Sequence, residues 1–218
     1  MLKYLLFDLD GTLTDPRIGI TKSVQYALKS FGIEEEDLTR LEPFIGPPLM
    51  DSFMEQYHMS AEQAAQAVVK YRERFAPIGV LENEIIPGIP EMLVTLKKAD
   101  KVLAVASSKP ITFVNQILKH FEILQYFDVV GGSELDGSRG TKEEVVEDVL
   151  TRIFGEEPVR TEETAMIGDR KFDIQGAKAY GLVSVGVTFG FAPRGELKAA
   201  RADYIARDVK QLTKILLE

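Results

Sequence analysis

Short runs of consecutive apolar residues recur along this chain, separated by longer stretches in which apolar positions repeat with helical spacing. The first run, within Lys3–Asp8 (K-Y-L-L-F-D), is too short for a helix and has the character of a central parallel strand buried on both faces. Comparable runs lie at Val102–Ala106, Phe127–Val130, Thr164–Ile167 and Leu182–Val187. Amphipathic helices are predicted between them at Ile89–Lys98, Thr112–Phe121, Lys142–Phe154 and Ile174–Tyr180, and a weaker strand–helix pair, Asp203–Ala206 then Val209–Leu217, closes the pattern. Alternation of this kind predicts an α/β fold: a doubly wound parallel sheet with helices on both faces.

The interval 15–83 breaks the alternation. Ile20–Phe31 repeats Val24, Leu28 and Phe31 on one helical face, and Ser60 with Gln63 three residues on forms a capping-box signature for a helix running to Phe75. Gly46-Pro47-Pro48 is a turn between helices, and Glu34–Asp37 reads as a solvated helix start suited to the helix dipole. The expectation is an all-helical domain at 15–83, inserted into a core formed by 1–14 and 84–218.

Composition narrows the chemistry. The chain has 218 residues and no cysteine, which excludes a disulfide framework, a zinc–thiolate site and a cysteine nucleophile. A net charge of −8 argues against nucleic acid as the main partner, although a local basic pocket remains open to an anion. No apolar run is long enough to cross a bilayer and the first run lacks a signal-peptide cleavage pattern, so the expected location is the cytoplasm. No exposed apolar stripe stands out, and a monomer is expected.

Acidic residues follow two of the strands. Asp8 and Asp10 stand at i and i+2 at the carboxyl end of the first, where doubly wound sheets bind ligands, and side chains at that spacing project together. Gly11 allows a sharp turn that Thr12 can cap. Asp169 follows another strand and can cap a helix, with Asp173 one turn on. Four carboxylates in one cleft need a cation, and oxygen-only ligands suit Mg²⁺. Ser107 at the end of a third strand, and Lys142 behind a Thr141–Glu144 capping box, complete a site for a phosphoryl group.

The motifs F-D-L-D-G-T-L-T-D at 7–15, A-S-S-K at 106–109, T-K at 141–142 and M-I-G-D-R-K-F-D at 166–173 resemble, in order and spacing, those of the haloacid dehalogenase-like (HAD) superfamily. The helical insert resembles that superfamily's type 1 cap on a Rossmann-like core. The stretches F-I-G-P-P-L at 44–49 and E-L-D-G-S-R at 134–139 are similar to the phosphoglycolate-phosphatase-like subgroup, which includes members described as 5′-nucleotidases.

The resemblance implies a Mg²⁺-dependent phosphatase acting on a small phosphorylated metabolite, with a phosphomutase of the β-phosphoglucomutase kind as the alternative. It assigns Asp8 as nucleophile, forming an aspartyl-phosphate, and Asp10 as general acid and base. Ser107 and Lys142 would hold the phosphoryl group, with Ser108 offering its backbone N–H. The Asp8 carboxylate, the Asp10 backbone carbonyl and Asp169 would bind the metal, with Asp173 in support. An acid at position 10 separates phosphate chemistry from dehalogenation, because a halide leaves without a proton. Specificity is expected from the insert, with Arg17, Lys22, Tyr71, Arg72 and the Ile45–Pro48 turn as candidates, and Arg139 in the core as a partner for a second anionic group. His58 and His120 are expected at the surface, and Met92, Phe113 and Phe121 in the core.

Overall fold

The computed structural model describes residues 1–136 and 138–218; Gly137, within the Glu134–Arg139 stretch, lies outside the described residues. The chain divides into two compact units, one formed by Met1–Asp15 with Ile85–Glu218 and the other by Pro16–Glu84.

The chain starts in strand β1 (Tyr4–Phe7) and leaves the first unit through β2 (Thr14–Asp15). The second unit holds α1 (Arg17–Lys29), a 3₁₀ turn at Leu38–Phe44, α2 (Leu49–Tyr57), α3 (Ala61–Arg74) and a π-helical turn at Phe75–Gly79. Its helix starts follow local chemistry. Ser60 and Gln63 make the reciprocal capping box of α3, as their spacing predicts. The Glu34–Asp37 run differs from expectation: only Asp37 caps, accepting from Thr39 N–H at 2.9 Å, and it opens the 3₁₀ turn rather than an α-helix. Pro43 inside that turn has no N–H to continue an α-helical ladder.

The chain re-enters the first unit at β3 (Glu84–Ile85), which pairs with β2. It then runs through α4 (Ile89–Lys98), β4 (Val102–Pro110), α5 (Ile111–His120), β5 (Val129–Ser133), α6 (Lys142–Phe154), β6 (Thr164–Gly168), α7 (Lys171–Ala179), β7 (Val183–Val187), α8 (Glu196–Ala199), β8 (Tyr204–Ala206) and α9 (Val209–Leu217). Six strands form one parallel sheet in the order β5-β4-β1-β6-β7-β8. In β1, Leu6 faces one side of the sheet, in a cluster with Ala104, Met166, Val145, Val149 and Ala177 beneath α6 and α7. Leu5 and Phe7, of opposite parity, are equally buried beneath the other face, where α4, α5 and α9 lie. The two-sided burial explains the unbroken apolar run of β1.

Strand order reverses at β1: the chain passes from β1 to β4 on one side and later to β6 on the other. In doubly wound sheets the crevice at such a switch point is the ligand site. Met92 and Phe113 are buried and Phe121 is half-buried, while His58 and His120 are exposed. Among the described residues no helix is long and apolar enough to cross a membrane.

Candidate functional site

The acidic residues gather around the carboxyl ends of β1, β4 and β6. Asp8 continues β1, its N–H donating to Ile167 O at 2.8 Å. The turn after it is closed by backbone bonds: Gly11, at φ +79°, donates to Thr14 O, and Thr12 and Leu13 both donate to Leu9 O. Thr12 does not cap this turn. Its hydroxyl oxygen is buried without a hydrogen-bond partner.

Lys142 stands at the centre. Thr141 and Glu144 make the capping box that starts α6, so Lys142 occupies the first turn and its stem is buried. Its ammonium lies 2.8 Å from Asp8 Oδ1 and 2.8 Å from Asp173 Oδ1, and donates to Ala106 O at 2.9 Å. Burial alone would favour neutral lysine, but Asp173 and Asp8 outweigh it and raise the Lys142 pKa, so the ammonium stays charged. Asp173 is pushed up to about 6, by burial first and against the pull of Lys142. The neighbouring Asp8 carboxylate adds to the rise, since one cation is shared by two buried carboxylates.

Asp169 does not cap α7. Arg170 takes the cap position and its N–H donates to Asp173 Oδ2 at 2.9 Å, while Asp169 Oδ2 accepts from Phe191 N–H at 2.6 Å. Burial, then Asp173 and Asp8, raise the Asp169 pKa well above the usual carboxylate value. Asp8, Asp169 and Asp173 each bring one carboxylate oxygen to within 4.8 Å of the others. Asp169 Oδ1 is buried with no hydrogen-bond donor. A buried, unsatisfied acceptor beside two further carboxylates fits a hard divalent cation such as Mg²⁺.

Asp10 is also buried, but its carboxylate turns to a different cation. Oδ2 pairs with Lys109 Nζ and Oδ1 has no hydrogen-bond partner. Burial raises the Asp10 pKa, with Lys109 opposing the rise. Lys109 is not among the residues to which the sequence assigns a role. Lys109 follows Ser107 by two positions, and the two share a side only because the chain stays extended past Ala106. Strand β4 does not stop at Ala106 but runs to Pro110, with a register shift against β5 after Ser107. Ser107 is buried inside the strand and its Oγ accepts from Lys109 N–H at 3.4 Å; the Ser108 carbonyl accepts from Ser133 Oγ at 2.8 Å.

Other candidates are engaged elsewhere. Arg139 pairs with Glu134, just past β5, and, at 2.6 Å, with Asp148 in the middle of α6. Within the helical unit Arg17 pairs with Glu42 at 3.4 Å and Lys22 with Glu82 at 3.4 Å, and Tyr71 is buried with its ring stacked on Phe75.

At the switch point of this six-stranded parallel sheet, aspartates surround a buried lysine, and comparison with known proteins gives the class. Residues 5–187 match the family model of haloacid dehalogenase-like hydrolases, and the chain belongs to that family, as one of its phosphatases. It is 46% identical over 212 residues to a 5′-nucleotidase of Pseudomonas aeruginosa, covering 97% of this chain and 94% of that one. It is 37% identical to the tyrosine-protein kinase PtkA of Mycobacterium tuberculosis, covering 92% of this chain but 64% of that protein. Among solved structures, a predicted phosphatase from Clostridium acetobutylicum superposes with a TM-score of 0.94 at 46% identity, covering 100% of this chain and 99% of that one.

Proposed function

We propose that this chain is a Mg²⁺-dependent phosphatase that hydrolyses a small phosphate monoester through an aspartyl-phosphate on Asp8, with Asp10 as acid and base. The observation that carries the reading is the cluster of Asp8, Asp169 and Asp173 around the buried Lys142 ammonium, with Asp169 Oδ1 unsatisfied.

A carboxylate oxygen of Asp8 attacks phosphorus, the ester P–O bond breaks, and the Asp10 proton passes to the leaving oxygen. Asp10, now a carboxylate, takes a proton from water. The water oxygen attacks phosphorus, the bond to Asp8 breaks, and inorganic phosphate leaves. Lys142, with Ser107 and the Ser108 N–H, holds the phosphoryl oxygens as charge spreads over them. Asp8, Asp169 and the Asp10 carbonyl would bind Mg²⁺, with Asp173 in support; the ion supplies further neutralisation of phosphoryl charge. Burial suits Asp10 to this role, because a raised pKa keeps the proton available for the leaving group.

Similarity to a 5′-nucleotidase makes nucleoside monophosphates the first substrate class to try, with phosphoglycolate and sugar phosphates beside them. Phosphate release is measured across these compounds with wild type and Asp8→Asn. Turnover of at least one by wild type and none by the folded variant is expected. Release by the variant at the wild-type rate would refute the nucleophile, and transfer to a bisphosphate without free phosphate would favour a mutase.

A further inference from the structure

We infer that the Arg170–Glu196 ion pair is a positioning device for the metal site: it clips the segment after β7 against the start of α7, and so holds the Asp169 carboxylate with one oxygen turned to the cation. The inference rests on the proposed Mg²⁺ role and adds residues to it that lie outside the acidic cluster.

Asp169 has two carboxylate oxygens in different states. Oδ2 accepts from Phe191 N–H at 2.6 Å, while Oδ1 is buried without a donor, and one oxygen of this carboxylate lies within 4.8 Å of oxygens of Asp8 and Asp173. The backbone amide therefore decides which oxygen is left for a metal. A carboxylate fixed by a hydrogen bond at one oxygen presents the other without having to be ordered on binding.

The position of that amide depends on Glu196. The segment from Thr188 to Gly195 has no strand or helix of its own, and Glu196 opens the four-residue helix at its end. Glu196 Oε1 accepts from Arg170 Nε at 2.9 Å and from Lys171 N–H at 2.9 Å, and Oε2 lies 3.5 Å from Arg170 Nη2. Both donors belong to the residues directly after Asp169. The segment is thus tied to 169–171 at two points, Phe191 to Asp169 and Glu196 to Arg170 and Lys171. The ion pair is almost enclosed, with side chains 10% and 12% exposed, so it is held more firmly than a surface pair. Leu197, buried against Gly186, fixes the same turn from below.

Gly190 shows how tight the fit is. A Cβ there would fall 2.3 Å from Asp169 Oδ2 and 2.4 Å from Gly11 O. The backbone can lie flat on the carboxylate only where no side chain intervenes.

The test is Mg²⁺ binding by titration calorimetry to wild type, Glu196→Gln, Glu196→Ala and Gly190→Ala, with the melting temperature of each metal-free protein alongside. The expected result is a Kd weakened by about tenfold in Glu196→Ala, the scale of outer-shell losses at metal sites. A smaller loss is expected in Glu196→Gln, which keeps an acceptor for Lys171 N–H, and a larger one in Gly190→Ala. A purely structural ion pair would lower the melting temperature and leave the Kd of the folded variants unchanged, and that result would overturn the inference. Should Glu196→Ala not fold, Glu196→Gln binding Mg²⁺ as tightly as wild type overturns it equally. Wild type that binds no Mg²⁺ would overturn the metal reading itself, and is told apart by failing before any variant is compared.

Discussion

Two lysines divide the work of the two aspartates on the loop after β1. Lys142 lies between Asp8 and Asp173, and Lys109 holds Asp10. The proposed nucleophile and the proposed acid are therefore paired separately, although they stand two residues apart. The pairing has a consequence in pH. Burial raises the Asp10 pKa and Lys109 restrains the rise, so removing the ammonium leaves burial less opposed. Lys109→Met is expected to shift the limb governed by the Asp10 proton to higher pH, because the carboxyl then keeps its proton further up the scale. Rate against pH, measured for wild type and variant, checks it; an unmoved or lowered limb would contradict the pairing. Asp8, Asp10 and Asp169 were each legible as acids at strand ends. Lys109 is not legible in this way, because a lysine beyond a serine carries no mark until the strand is known to continue past it.

At the scale of elements, the clearest sequence signals were those in which side chains close their own backbone. The boundaries of α6, Lys142 and Phe154, match the expected range, because Thr141 and Glu144 cap its start. The cap also sets the first turn from which Lys142 reaches the site. Thr141→Ala is expected to cost about 1 kcal/mol, seen as a fall of roughly 2–4 °C in melting temperature for a chain of this size. Turnover should fall beyond what that loss explains if the first turn of α6 frays, and an unchanged kcat would show that Lys142 is held by its ion pairs alone. Strand limits were less legible. Strand β5 begins at Val129, not Phe127: the Asp128 carboxylate, and not a backbone carbonyl, accepts from Leu103 N–H there, and Gly131 and Gly132 give little strand signal of their own. The clip between Glu196 and Arg170 had no sequence signal, since two charges twenty-six positions apart meet only once the chain has folded back.

For the whole molecule, the acidic site sets stability against function. Burial and neighbouring carboxylates raise the Asp169 pKa above that of the unfolded chain, so the metal-free folded state binds the extra proton. The stabilising contribution is present at low pH and is lost as pH rises through the folded-state pKa. Asp169→Asn, which removes the charge, is therefore expected to match wild type at low pH and to melt higher than metal-free wild type at neutral pH. Added Mg²⁺ should raise the melting temperature of wild type and not of the variant. A variant less stable than metal-free wild type at neutral pH would show that the Asp169 charge stabilises the fold by itself. The sheet has one more consequence, for the chain as it is made. Its middle strand is its first: Tyr4 pairs with Val102 on one side and with Thr164 on the other. At about 5–20 residues per second, the wait from Tyr4 to its first partner, Val102, is about five seconds at least. Residues 16–84 emerge as one complete compact unit during that time, whereas the apolar strand that precedes them has no neighbour on either edge. Tyr4–Phe7, made before both of its partners, is thus among the last strands of the sheet to be enclosed.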